Sequence, residues 1–119
     1  MSNIMKSPVE ENLANIQAKI DDASKNYCKR IGANRSVSLV AVSKRQPNYR
    51  IDEALKAGVR VFGENRVQEA KARWLYRQQF YSDIVLHLIG PLQTNKVTEA
   101  VSTFDVIEVV DRPKLAKLL

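Results

Sequence analysis

The sequence has few of the features that mark secreted, membrane or metal-binding proteins. Its 119 residues include one cysteine, Cys28, and one histidine, His87. A lone cysteine cannot close an internal disulfide, which is typical of proteins from a reducing compartment. No stretch approaches the roughly 20 apolar residues of a membrane helix, and the first residues lack the apolar segment of a secretory signal. These absences favour a cytoplasmic protein that does not bind membranes.

Motifs for nucleotides and nucleic acids are also missing. Neither a G-x-G-x-x-G nor a Walker lysine motif is present, which disfavours dinucleotide and nucleoside triphosphate sites. The net charge of +6 comes from 19 Lys and Arg that are scattered among 13 acidic residues, without zinc-finger spacing or a basic arm. The densest group, Lys71, Arg73 and Arg77, has helical spacing and is interpreted as a solvated helix face. Nucleic acid is therefore not the expected partner.

The hydrophobic pattern predicts one helix followed by alternating strands and helices. Ser7 is a candidate cap, Pro8 suits the first turn and Glu10 stands at the capping-box position, so we predict a helix over 8–31 that stops before Gly32. Short runs rich in valine and isoleucine then predict strands that start near residues 38, 59, 84 and 106, the first over 38–42 and the last over 106–110. A helix is predicted in each interval, the third of them over 94–101. This alternation is the signature of βα units on a parallel sheet.

Two architectures fit this pattern. An open, doubly wound sheet of four or five strands could close at this length. A (β/α)8 barrel needs about 250 residues, so the chain would be only the first half of one. Periodicity alone does not separate the two.

Lys44 is the most informative candidate for chemistry, because functional groups of parallel α/β folds gather at the carboxyl ends of strands. It follows Val40 and Val42 on the same strand face, so its stem is expected to run along the inside of the sheet. Lost hydration and the neighbouring charge of Arg45 would favour the neutral amine that condensation with a carbonyl requires. The alternative is a lysine that simply extends into water.

Three sequence blocks and a fourth strand share a pattern with one known family. The blocks are Leu39–Lys44 (LVAVSK), Phe62–Glu69 (FGENRVQE) and His87–Lys96 (HLIGPLQTNK), and the strand is Val106–Asp111 followed by Arg112. In this order and spacing they resemble the pyridoxal phosphate homeostasis family, also called the YggS/PROSC family. The resemblance extends over essentially the whole chain.

The resemblance implies a fold, a cofactor and a role. The fold would be the first half of a TIM-type barrel similar to the N-terminal domain of alanine racemase. Pyridoxal 5'-phosphate would be held as a Schiff base on Lys44, with Asn65 near the cofactor, although Asn65 could instead cap the following helix. The role would be vitamin B6 and amino-acid homeostasis, without established catalytic turnover.

Family members are about twice as long, and their phosphate contacts lie in the half that this sequence lacks. The resemblance therefore implies that the 119 residues bind the cofactor weakly or not at all. The open sheet of a half barrel is also expected to self-associate, because its edges and the apolar faces of Val40, Val42 and Ile107 would meet water.

Two alternatives remain open at this point. The chain could be part of a racemase-like or decarboxylase-like enzyme, but such enzymes need a second acid or base, and no tyrosine or cysteine stands at a strand end. It could also be a fragment that binds nothing. His87 has no second metal ligand or carboxylate partner near it in sequence, so we interpret it as a packed histidine.

Overall fold

The computed structural model describes residues 7–119 and gives them an alternating α/β order. The elements are α1 (Pro8–Ile31), β1 (Ala41–Val42), α2 (Asn48–Lys56), β2 (Val61–Glu64), α3 (Val67–Gln78), β3 (Val85–Leu88), a 3-10 turn (Thr94–Lys96), α4 (Val97–Thr103), β4 (Val106–Ile107) and α5 (Pro113–Leu118). In this part of the chain no helix is both long and apolar enough to cross a membrane.

Helix α1 begins and ends as its sequence predicts. The Ser7 Oγ accepts a hydrogen bond of 3.1 Å from the backbone N–H of Glu10, which satisfies one of the free donors of the first turn. At the other end Gly32 adopts the left-handed conformation, with φ of 68°, and its N–H donates to the carbonyl of Cys28.

The four strands form a parallel sheet in which spatial order equals chain order. The sheet runs β1-β2-β3-β4, and one row of paired residues crosses it through Val42, Gly63, His87 and Val106. A doubly wound sheet reverses its strand order at a switch point, and no reversal occurs here. Right-handed crossovers between sequential parallel strands place the connecting helices on one face. The alternative of a doubly wound sheet is therefore wrong.

The core lies entirely between the sheet and this single layer of helices. Phe62 and Trp74 pack with their ring centroids 4.5 Å apart, and Leu86 and Leu88 are fully buried beside them. The molecule measures 53 × 40 × 22 Å, and the shortest extent suits one sheet and one helix layer at about 10 Å each. The predicted α/β class with a parallel sheet is confirmed.

The opposite face of the sheet, which we call the open face, has no covering layer among residues 7–119. It presents the row Val42, Gly63, His87 and Val106, of which Val42 is 49% exposed and Val106 38%. This is the face that points into the lumen of a closed barrel.

The structure corrects three details of the predicted elements. Strands predicted over 38–42 and 106–110 pair over two residues each, because each has a neighbour on one side only. Ile107, expected to meet water, packs on the core, while Val106 faces the open side. The helix predicted from Thr94 begins at Val97, after the 3-10 turn.

The open face predicts self-association of the 119-residue chain. Exposed strand edges and apolar patches pair with other chains, so we expect dimers or larger species by size-exclusion chromatography with light scattering. Replacing both Val42 and Val106 with lysine should shift the population towards monomer, because like charges would line the face.

The matched control replaces Val37 and Val101, both 57% exposed and outside the sheet, with lysine. It adds the same charge and should leave the size distribution unchanged. A monodisperse wild-type monomer with a sharp unfolding transition would show that the open face is stable in water.

Candidate functional site

The candidate site lies at the carboxyl end of β1, where the chain turns towards α2. The pairing of β1 with β2 extends one bond beyond Val42, since the N–H of Ser43 donates to the carbonyl of Gly63 at 3.0 Å. Lys44 follows, two residues after Val42, and its side chain is exposed. The paired register ends at Val42 and Gly63; Lys44 lies in the turn that follows β1, and Asn65 is the first residue after β2.

Directly beneath this end, on the helix side, the carboxylate of Glu64 is completely buried. Its Oε1 accepts hydrogen bonds from Ser43 Oγ at 2.6 Å, from Arg73 Nη1 at 3.2 Å and from Trp74 Nε1 at 3.2 Å. Its Oε2 has no hydrogen-bond partner among the described residues. A carboxylate removed from water is tolerated only with such partners, so it ties β1, β2 and α3 together.

Arg73 extends this network to the backbone on both sides of Lys44. Its Nη1 donates to the carbonyl of Ser43, and its Nη2 donates to the carbonyl of Gln46 at 2.7 Å. One planar guanidinium therefore bonds Glu64 and two carbonyls of the segment that carries the lysine.

A second residue of α3 holds the middle of the same segment. Arg45 has φ of 58°, a left-handed conformation that a residue with a Cβ rarely adopts. The Glu69 Oε1 accepts a hydrogen bond of 3.0 Å from the backbone N–H of Arg45. Backbone strain of this kind persists only where surrounding contacts hold it, and here the contact lies directly after Lys44.

These contacts correct the interpretation of α3 as a solvated basic face. The side chains of Arg73 and Arg77 are each only 13% exposed. Arg77 pairs with Asp52 of α2, with Nε 2.9 Å from Oδ1. Of the three cations, Lys71 comes nearest to the predicted solvated face: its side chain is 38% exposed, and its Nζ lies 3.8 Å from Oε2 of Glu99.

The open face beside Lys44 has an apolar floor with a glycine at its centre. A Cβ added to Gly63 would lie 3.1 Å from Ile89 Cδ1 and 3.2 Å from Val40 Cγ1. The side chains of Ile89 and Val40 therefore leave little room for a side chain at residue 63.

Asn65 is held at this end by a close backbone approach. A Cβ on Gly90 would lie 2.9 Å from the carbonyl oxygen of Asn65, so β2 and β3 end in contact only because residue 90 is glycine. Helix α3 begins at Val67 with Arg66 as the residue before it, and no side chain caps it. The alternative role of Asn65 as a helix cap is therefore wrong.

His87 has a partner that sequence reasoning missed. Its Nδ1 lies 2.6 Å from Oε1 of Glu108, the residue directly after β4. The two residues are far apart in sequence. They could have been found only by pairing β3 with β4 and asking which side chains then face the same side of the sheet. The pair lies on the open face and His87 is half-buried, so this histidine has a carboxylate partner in space although none is near it in sequence. Among the described residues no cluster of three metal ligands forms.

The burial of Glu64 predicts that Arg73 matters far more to stability than Arg77. Arg73→Ala leaves a buried carboxylate without its cation, so we expect a loss of about 3 kcal/mol or more in the free energy of unfolding. Arg77→Ala breaks a pair whose acid, Asp52, is 49% exposed, which should cost at most about 1 kcal/mol. Urea unfolding of both variants measures the difference. Equal losses of unfolding free energy in the two variants would mean that the buried Glu64 carboxylate makes Arg73 no more important to stability than Arg77.

Comparisons with known proteins bear on the identity of this site. No protein-family model matches the chain. Pyridoxal phosphate homeostasis proteins of Vibrio cholerae and Escherichia coli K12 are 41% identical over 110 residues and 38% identical over 112 residues. The alignments cover 91% and 93% of this chain but 45% and 47% of those proteins. The chain thus spans about half the length of the curated relatives it matches.

Solved structures give the same result for the backbone. PipY of Synechococcus elongatus PCC7942 with PLP bound superimposes with a TM-score of 0.75 at 40% identity, over 93% of this chain and 46% of that one. The structure without PLP gives a TM-score of 0.74. The predicted half of a TIM-type barrel is confirmed by this match. In sequence and backbone alike, the chain is a homologue of the pyridoxal phosphate homeostasis proteins and corresponds to about half of their length.

Proposed function

We propose that this chain contributes to vitamin B6 and amino-acid homeostasis by binding pyridoxal 5'-phosphate, with the cofactor held as a Schiff base on Lys44. The homologues named for pyridoxal phosphate homeostasis and the PLP-bound structure of PipY support the ligand. The observation that carries the assignment to Lys44 is the fixed strand end, which holds the backbone on both sides of an exposed lysine.

The residues present suit an aromatic aldehyde. Pyridoxal phosphate supplies an aldehyde that condenses with a primary amine and a ring that polar groups can orient. Lys44 offers the amine, and the packed side chains of Val40 and Ile89 over Gly63 offer apolar surface at the same end of the sheet. Asn65 offers an amide that both donates and accepts hydrogen bonds, and we propose that it orients the ring.

The role that we propose is regulatory and involves no catalytic turnover. The naming of the relatives as homeostasis proteins supports a regulatory role in general. The partner is the small molecule rather than nucleic acid, and the location is the cytoplasm, as expected from the single free cysteine.

One observation favours a second candidate, a racemase-like or decarboxylase-like enzyme. The His87–Glu108 pair lies on the open face, and a histidine with a carboxylate partner can move protons. Exchange of an amino acid's α-proton with deuterium, catalysed by the cofactor-loaded protein and lost in His87→Gln, would favour this candidate over a regulatory role.

The assignment predicts a single preferred site of modification. After incubation with pyridoxal phosphate and reduction with borohydride, peptide mapping should place the pyridoxyl group on Lys44. Reduction traps the adduct covalently, so the experiment also detects weak binding.

The matched control is Lys44→Arg, which keeps the positive charge but has no amine able to condense. It should lose the adduct, while exposed Lys56 on α2 stays unmodified in both proteins. A pyridoxyl group on another lysine, with Lys44 unmodified, would contradict the assignment.

A further inference from the structure

A cavity lies at the carboxyl ends of β2, β3 and β4, and Lys44 is not part of its wall. Its volume is about 580 Å³, within the range of small-molecule sites in proteins. Three loops form it, namely those that follow each of these strands. Each loop brings one cation to the wall: Arg66 after β2, Lys96 after β3 and Arg112 after β4.

The wall of this cavity is entirely neutral or cationic. No aspartate or glutamate lines it, although the chain as a whole has 13. Besides the three cations it carries the amide side chains of Asn65 and Gln93, and that of Gln68, whose Nε2 already donates to Oε2 of Glu99 at 3.1 Å. Amide N–H groups and cations are the donors that oxyanions accept from, and the cations make the strongest of these bonds.

The three cations differ in how firmly they are held. Arg112 is fixed, since its Nη2 donates to the carbonyl of Leu92 at 2.7 Å and its Nη1 bonds Asp111 at 2.7 Å. These bonds occupy two of the five N–H donors of a guanidinium. Arg66 and Lys96 form no ion pair with any acidic residue in the described part of the chain.

Charges of one sign around a concave surface repel one another and attract an anion. The effect is larger in a cavity than on a flat surface, because walls of low dielectric focus the field. Apolar side chains are present too, since Val67, Pro91 and Leu92 complete the wall. This combination suits a small ligand with an anionic group and an organic body.

We propose that Arg66, Lys96 and Arg112 form a binding site for a small ligand that carries a phosphate or carboxylate group, separate from the amine of Lys44. The site goes beyond the proposed function, because it needs neither Lys44 nor the cofactor. Arg112 supplies the fixed donor, and Arg66 and Lys96 supply the unpaired charge.

Titration of the 15N-labelled chain tests the proposal with inorganic phosphate in one arm and acetate in the other. The site predicts saturable shifts of the backbone amides of residues 66–68 and 93–96 in at least one arm. The arm that saturates identifies the anionic group. In Arg66→Gln/Lys96→Gln the affinity should fall roughly tenfold, because charge-assisted hydrogen bonds are lost. Binding should also weaken as sodium chloride is raised.

The charge-matched control is Lys19→Ala/Lys56→Ala, which removes two exposed cations on α1 and α2, outside the cavity. It should bind phosphate or acetate as the wild type does. The proposal is overturned if neither anion gives saturable shifts at these loops. It is also overturned if the double glutamine variant, folded by circular dichroism, titrates like the wild type.

Discussion

The burial of one carboxylate, that of Glu64, organises the end of the sheet where Lys44 lies. An ion withdrawn from water costs several kcal/mol unless charged and polar partners replace the lost hydration. Ser43, Arg73 and Trp74 supply them, and they come from the end of β1 and from two successive positions of α3. Satisfying the carboxylate therefore fixes two strand ends and a helix relative to one another.

Successive side chains of a β-strand face opposite sides of the sheet, so the Glu64 network and the candidate site can lie on neighbouring residues of one strand. Glu64 faces the helices, while Gly63 on one side and Asn65 on the other face away from them. Ile89 and Val40 leave little room for a side chain at Gly63, and Asn65 follows β2 at the same edge of the sheet at which Lys44 follows β1. A change at Glu64 would thus reach Lys44 through Ser43 and Arg73, without any direct contact with a ligand.

Sequence reasoning predicted the elements and the lysine because both leave local patterns. The apolar runs, the cap at Ser7 and the polar segment after Val42 can each be read within a few residues. The missed features are contacts between residues of different strands and helices, which local spacing does not show. The pairing of His87 with Glu108 depends on the β3–β4 register, and the burial of Arg73 depends on a carboxylate nine residues before it on a strand. Helical spacing alone made Arg73 look solvated.

Amide hydrogen exchange at the segment around Lys44 tests most directly whether the Glu64–Arg73 network holds it. The N–H groups of Ser43, Arg45 and Gln46 bond to Gly63 O, Glu69 Oε1 and Ser43 O at 3.0 to 3.1 Å. If the network holds this segment, these amides exchange slowly in the wild type and lose protection selectively in Arg73→Ala while β3 stays protected. Fast exchange at these amides in the wild type, or unchanged protection in the variant, would contradict it.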